Sequence, residues 1–330
     1  MKKVIITGSN SGFARSPLRT VNEKACLNYH NNNNGTKEKQ MKNVIITGTS
    51  SGFGLKAAKD FADKGYKVFA TMRKPDGKNA QKKAELEGHS ARHIKVVDMD
   101  VTNDISVREA IGGIIAEVGA INILINNAGI MYLGITEAFS IAQAHEQMEA
   151  NYYGAIRTMQ AVLPSMRKAG NGLIINTTSL VGRISPPFFS TYTASKHALE
   201  GYAQGLRYEV SPFGVDIVMV EPGPFGTGLL ASGKAPAHSE VLATYGDLSG
   251  VPAAMGESFA QMLQSEGAPD PQLVVDAYLA LAEMPAGKRP TRTVVGITWG
   301  VDEMNTLTQS IQDRILKEMQ LENVLGGVSC

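Results

Sequence analysis

The chain reads as a single α/β domain, doubly wound around a parallel sheet of about seven strands, and three observations predict this. Short runs rich in Val and Ile recur from residue 41 onward, several of them apolar at consecutive positions, as strands covered on both faces require. Longer stretches with apolar residues at helical spacing lie between them. A glycine-rich turn joins the first of these strands to the first of these helices. Strand–helix alternation favours parallel pairing, because each helix carries the chain back to the same edge of the sheet.

The elements come in order along the chain. NVIITG (43–48) is the first strand, and Leu55, Ala58, Phe61 and Ala62 give the helix after it an apolar face. KVFATM (67–72) and HIKVVDM (93–99) are the second and third strands, and Ile111, Ile114, Ile115 and Val118 mark the next helix. INILINN (121–127) leads into one long helical pattern, with Ile141, Ala144, Met148, Tyr152, Ala155, Met159 and Val162 on a common face. GLIINTT (172–178), a helix in STYTASKHALEGYAQGLRYEV, VDIVMVE (215–221) and RTVVGI (292–297) complete the series. Residues 228–269 depart from it, with two short helical patterns among Gly, Ser and Pro. An insertion beyond the carboxyl end of a strand is well placed to cover a ligand crevice.

Residues 1–14, MKKVIITGSNSGFA, match 41–54, MKNVIITGTSSGFG, at ten of fourteen positions. A glycine turn binds phosphate only when a strand feeds it and a helix follows. After Gly54 comes the amphipathic LKAAKDFADKG; after Ala14 come Pro17, four consecutive Asn and no apolar period. The second copy is therefore expected to work, with Met41 as the natural start of a domain over 41–330 and residues 1–40 a flexible leader carrying a partial duplicate.

Composition bounds the function. A net charge of +1 gives no electrostatic footprint for nucleic acid or an anionic membrane. The two cysteines, Cys26 and Cys330, form no disulfide framework and suit a reducing compartment. With no signal-peptide core and no uninterrupted apolar span, a cytoplasmic protein that binds no membrane is expected. No Cys–His grouping among the six histidines and two cysteines has ligand spacing, so no metal is expected. A hydrolase is disfavoured because no GxSxG elbow occurs.

Four features carry chemistry. Thr47, Gly48, Gly52 and Gly54 spell TGxxxGxG between strand and helix, and Gly48, Ser50, Ser51, Gly52, Phe53 and Gly54 are the turn residues expected at a dinucleotide. The second strand ends in Met72-Arg73-Lys74 rather than in the carboxylate that bonds a ribose 2′-hydroxyl, so Arg73 favours NADP over NAD. Tyr192 and Lys196 stand one helical turn apart, where an ammonium is expected to draw the phenol's pKa down toward neutrality. Ser179 falls at the carboxyl edge of the sheet, and Asn151 is a polar residue on an apolar helix stripe that must find partners.

Together these motifs resemble the short-chain dehydrogenase/reductase family over essentially all of 41–330. They are TGxxxGxG, Asp100-Val101, NNAG at 126–129, Asn151, Ser179, the Tyr192/Lys196 pair and PGPFGT at 222–227. VFATMRKP and KRPTRTVVG look most like the 17β-hydroxysteroid and retinol dehydrogenase-like branch. The resemblance implies a Rossmann-type fold and an NAD(P)-dependent enzyme interconverting carbonyl and alcohol, with NADP preferred and NAD possible. It implies Tyr192 as acid/base, and Lys196 as the group that lowers its pKa and holds the nicotinamide ribose. Ser179 would orient the substrate oxygen and Asn151 would hold a relay water. Asp100 and Val101 would meet the adenine; Asn127, Ala128 and Gly129 would line the groove; Pro222, Gly223, Phe225 and Thr227 would fix the nicotinamide. Two positions depart from the commonest pattern: Thr178 replaces a frequent Ser, and Phe225 a β-branched aliphatic residue. Relatives often form homo-oligomers, dimers or tetramers, so one is expected here.

The substrate is expected to be an apolar small molecule of modest size, because Leu180, Val181, Pro186, Pro187, Phe188 and Phe189 follow Ser179. The 228–269 cover adds Leu229, Leu230, Met255, Phe259 and Met262. The competing reading is an NADP-binding sensor or scaffold without turnover, which would need none of Asn151, Ser179, Tyr192 and Lys196. A nucleotide-sugar epimerase is a third, disfavoured by the spacing of the glycines.

Overall fold

The structure, a computed structural model, describes residues 41–321. The leader of residues 1–40 lies outside the described residues. Seven parallel strands form one sheet in the order β3-β2-β1-β4-β5-β6-β7. They are β1 (Asn43–Thr47), β2 (Lys67–Met72), β3 (Ile94–Asp98), β4 (Ile123–Asn126), β5 (Gly172–Thr177), β6 (Val215–Pro222) and β7 (Arg292–Val295). All seven sequence-predicted runs are strands, with ends differing by a residue or two.

Strand side chains alternate between two apolar layers, as the period of two dictates. Val44 and Ile46 of β1 face a core shared with α1 (Gly52–Asp63), α2 (Ala80–His89) and α9 (Gln272–Glu283). Ile45 faces the opposite core, closed by α3 (Asp104–Val118), α5 (Gly154–Ala169) and α6 (Ser190–Val210). Both faces are covered, which explains why several of the strand sequences are nearly continuous apolar runs. Sequence also sets the helix ends. Asn103 caps α3 by accepting from the Ser106 amide at 2.9 Å, Ser140 and Gln143 form a capping box on α4 (Ile141–Met148), and Gly170 ends α5 at a φ of 65°.

Two findings revise the sequence reading. The single long helix expected over 141–162 is two helices, α4 and α5, joined by a π-helical turn at Glu149–Tyr153 with Asn151 at its centre. Three helices were not anticipated: α2, α9 and α10 (Val301–Glu318). The insertion holds two short helices as expected, α7 (Ser239–Thr244) and α8 (Val251–Met262). Strand order reverses between β1 and β4, so the crevice of this fold opens at their carboxyl ends. The insertion packs over it.

Candidate active site

The chain leaves β1 through Gly48 (φ 71°) and Gly52 (φ 54°), conformations that L side chains rarely adopt. A Cβ on Gly48 would come within 2.8 Å of Ala128 Cα, and one on Gly54 within 2.5 Å of both the Gly48 carbonyl oxygen and Asn127 Nδ2. The three glycines thus let the turn, α1 and the segment after β4 close on one another. Thr47 and Asn127 fasten that closure. The Thr47 hydroxyl accepts from the amides of Asn127 and Ala128, each at 3.0 Å, and Asn127 Nδ2 donates to the carbonyls of Thr47 and Gly48 at 2.9 and 3.1 Å. Neither a capping side chain nor an acidic residue occupies the first turn of α1, which suits an anion at its N-terminus.

A cavity of about 840 Å³ runs from this turn to Tyr192 and Lys196. Of the residues singled out from sequence, it is lined by Gly48, Ser50, Ser51, Gly52, Phe53, Arg73, Asp100, Val101, Asn127, Ala128 and Gly129. Ser179, Tyr192, Lys196, Pro222, Gly223, Phe225 and Thr227 line it too. Gly54 and Asn151 do not; they lie behind the wall. The Phe225 ring is accommodated by Gly296, on which a Cβ would approach it to 2.7 Å, and meets Phe53 edge-on at 5.5 Å between centroids. The residues fit a nicotinamide dinucleotide by this glycine cradle and by the length of the groove.

Tyr192 and Lys196 project from α6, both almost completely buried. Lys196 Nζ donates to the Thr177 carbonyl at 2.8 Å and lies 5.6 Å from the centre of the Tyr192 ring. Ser179 Oγ accepts from the Val181 amide at 3.3 Å and donates to the Pro222 carbonyl at 3.4 Å. Burial pushes the Tyr192 phenol up to about 12, and Ser179 supplies the opposing pull. This corrects the expectation that the ammonium would draw the phenol down. The cost of burying the phenolate dominates; Lys196 Nζ donates to the Thr177 carbonyl and lies 5.6 Å from the centre of the Tyr192 ring, and no pull from it offsets burial. Burial likewise pushes the Lys196 ammonium down to about 8, against an opposing pull from Glu200.

Asn151 meets its partners inside the protein. Its Oδ1 accepts from the Ile130 amide at 2.8 Å, and its Nδ2 donates to the Ile130 carbonyl at 2.9 Å and to Ser195 Oγ at 3.0 Å. Ser195 passes the contact on, donating to the Tyr192 carbonyl at 2.7 Å. The side chain therefore ties the segment after β4 to α6.

Beyond Tyr192 the cavity wall is apolar. Met131, Val181 and Phe189 form a cluster with Leu229, Leu230, Met255 and Phe259 of the insertion. Pro186 and Leu180 also line it, whereas Pro187, Phe188 and Met262 do not, and Leu263 stands where Met262 was expected. Sequence reasoning missed Lys78 and Asn79 beside Arg73, Tyr132 after β4, Glu146 in the last turn of α4, and Trp299 after β7. Lys78 and Asn79 carry a signal, since they follow the Arg73 strand end by one turn; the others are gathered only by the fold. Among the described residues there is no cluster of His, Cys, Asp or Glu able to hold a metal, and no helix long and apolar enough to cross a membrane.

A doubly wound sheet with a glycine turn at its switch point and a Tyr–Lys pair on the helix after β5 defines a nucleotide-binding oxidoreductase fold. The family model described as short chain dehydrogenase matches residues 42–237, and the chain belongs to that family. A 3-ketodihydrosphingosine reductase from Bacteroides thetaiotaomicron is 41% identical over 175 residues, 53% of this chain and 61% of the relative. Retinol dehydrogenase 8 from Bos taurus is 35% identical over 162 residues, 49% of this chain and 51% of the relative. The matches thus span less than two thirds of these curated relatives, and the retinol dehydrogenase agrees with the branch that the sequence motifs resemble. Of the solved structures, a short-chain dehydrogenase from Streptomyces avermitilis superposes with a TM-score of 0.66 at 26% identity, covering 87% of this chain and 98% of its own. More distant structures of the same fold hold NADP+ in one case and NAD in another.

Proposed function

We propose that the chain is a carbonyl reductase or alcohol dehydrogenase that uses NADP(H) on an apolar substrate of modest size, with Tyr192 as the proton donor and acceptor. One observation carries this reading: Tyr192, Ser179 and Lys196 converge on a single cavity whose other end is the glycine turn. A nicotinamide nucleotide bound along the groove would supply or accept the hydride. In reduction, Ser179 holds the substrate oxygen, and Tyr192 gives its proton to that oxygen as the carbon is reduced. A phenol whose pKa burial sets at about 12 is fully protonated at neutrality and ready to donate. The adjacent Lys196 ammonium stabilises the phenolate left behind.

Arg73 supports NADP. It lines the groove beside Lys78, its side chain half exposed, and the nearest carboxylate, Asp100, stands 4.0 Å away. A guanidinium there suits a 2′-phosphate. The apolar wall supports the substrate class, with which the names of two relatives, a ketodihydrosphingosine reductase and a retinol dehydrogenase, accord.

The test is NADPH oxidation, followed by absorbance, across a panel of ketones, aldehydes and quinones, with Tyr192→Phe alongside. The variant should lose at least about 10²-fold in rate while binding NADPH with unchanged affinity in a fluorescence titration. An undiminished rate would overturn the assignment of Tyr192. Wild-type protein that binds NADPH and turns over nothing would instead be a sensor, and equal efficiency with NADH would refute the role given to Arg73.

A further inference from the structure

One turn further along the face of α6 that carries Tyr192 and Lys196 lies a charged cluster that the proposed chemistry does not use. Glu200 follows Lys196 by one helical turn and is 2% exposed; Glu221, the β6 residue before Pro222, is completely buried. Arg292 of β7 joins them. Its Nε donates to Glu200 Oε2 at 2.8 Å and lies 3.4 Å from Glu221 Oε1, while Nη2 donates to Gln204 Oε1 at 2.8 Å. From α10, Asn305 donates to Glu221 Oε2. Arg183, just past the turn at Leu180–Gly182, donates to Asn305 Oδ1 at 2.9 Å and Thr308 Oγ1 at 2.7 Å. These, with Lys196 itself, are the charged and polar groups that face the two carboxyls from α6, β7, α10 and the turn after Ser179.

Each carboxyl keeps one buried oxygen, Oε1, without an ordinary hydrogen-bond partner, and both carboxyls approach the same Arg292 Nε. Two ionised carboxylates brought together out of water repel strongly, whereas one proton held between them relieves that repulsion and gives the orphan oxygens a donor. Burial and the nearness of Glu200 indeed push Glu221 up to about 8. Gly182 lets the turn after Ser179 settle onto the same stretch of α6, where a Cβ would stand 3.1 Å from Glu200 Cγ and 3.3 Å from the Lys196 carbonyl oxygen.

We propose that Glu200 and Glu221 share one proton at neutral pH and serve as a positioning pair for Lys196. Their single negative charge, held on Glu200 by Arg292, stands one turn behind the ammonium and keeps it cationic in a buried site. The proposal rests on reading Lys196 as the working cation, but its test needs neither substrate nor cofactor.

Two readouts decide it. A carboxyl whose folded-state pKa is raised contributes stability that is full below its unfolded value, ~4.3, and is lost as pH rises through about 8. Relative to Glu221→Gln, which keeps a donor to Glu200 but cannot titrate, the wild-type unfolding constant should rise about tenfold per pH unit across that window. Parallel pH dependences of the two would overturn the shared proton. Second, the Lys196 ¹³Cε resonance, assigned with Lys196→Arg, reports when the ammonium loses its proton. Its midpoint should fall by roughly one pH unit in Glu200→Gln and stay in place in Glu221→Gln. No fall in Glu200→Gln would overturn the positioning role. If that variant does not fold, Glu221→Gln still decides, because a lowered midpoint there would mean that Glu221 carries the charge. Failure on either readout leaves the Tyr192 assignment standing, since that assignment is tested by turnover.

Discussion

Burial drives the two titratable groups of the α6 pair toward their neutral forms, Tyr192 up to about 12 and Lys196 down to about 8. At neutral pH the phenol therefore keeps its proton, beside an ammonium whose own proton is held less tightly than usual. The one-turn spacing of the pair was legible in the sequence, since i and i+4 share a helix face. The direction of the phenol's shift was not, because it depends on what the fold removes from water and on the carbonyl of Thr177 that Lys196 meets. The sign yields a prediction. Below about pH 8 Lys196 keeps its charge, and above it the charge is lost; kcat/KM for NADPH, which reports the free enzyme, should therefore be level near neutrality and fall as pH rises through about 8. Initial rates with one ketone from pH 6 to 10 would show it, and a profile that stays level to pH 10 would contradict it.

At the scale of elements, a period carries only what a single helix or strand imposes. All seven strands were readable because burial on both faces leaves most of their positions apolar. The stripe from Ile141 to Val162 was equally clear, yet it spans a π-helical turn, because Asn151 reaches the Ile130 backbone and Ser195 rather than staying in register. Glu200 and Glu221 gave no signal, since their meaning depends on β6, β7 and α10 coming together. The insertion's helix α8 lines the cavity through Met255 and Phe259, which gives its expected role as a cover a testable face. Phe259 meets Phe189 across the cavity with ring centroids 6.5 Å apart. Phe259→Ala should raise KM for an apolar ketone about tenfold, the scale set by losing part of an apolar pocket wall, and leave kcat for a small aldehyde nearly unchanged. An equal loss with both substrates would place Phe259 outside the substrate's path.

For the whole molecule, the question is which of two near-identical stretches the sheet uses. The position between β2 and β4 admits one strand, and residues 43–47 fill it with hydrogen-bonded register on both sides. That copy fits because of the residues after the strand: Gly54 passes under the turn where a Cβ would strike the Gly48 carbonyl, and α1 then buries Ala57, Ala58, Phe61 and Ala62 against the sheet. The first copy has Ala14 in place of that glycine, and the sequence after it has no apolar period. We therefore infer that residues 1–40 are dispensable to the dinucleotide site. A chain starting at Met41 should keep the thermal midpoint and NADPH affinity of the full chain, measured by scanning calorimetry and fluorescence titration. Gly54→Ala should cost about 1–3 kcal/mol of stability by overpacking and weaken NADPH binding, whereas Gly12→Ala, the same kind of change in the first copy, should alter neither. If removing 1–40 unfolds the protein, or if Gly12→Ala weakens NADPH as much as Gly54→Ala does, the first copy takes part in the fold and the domain does not begin at Met41.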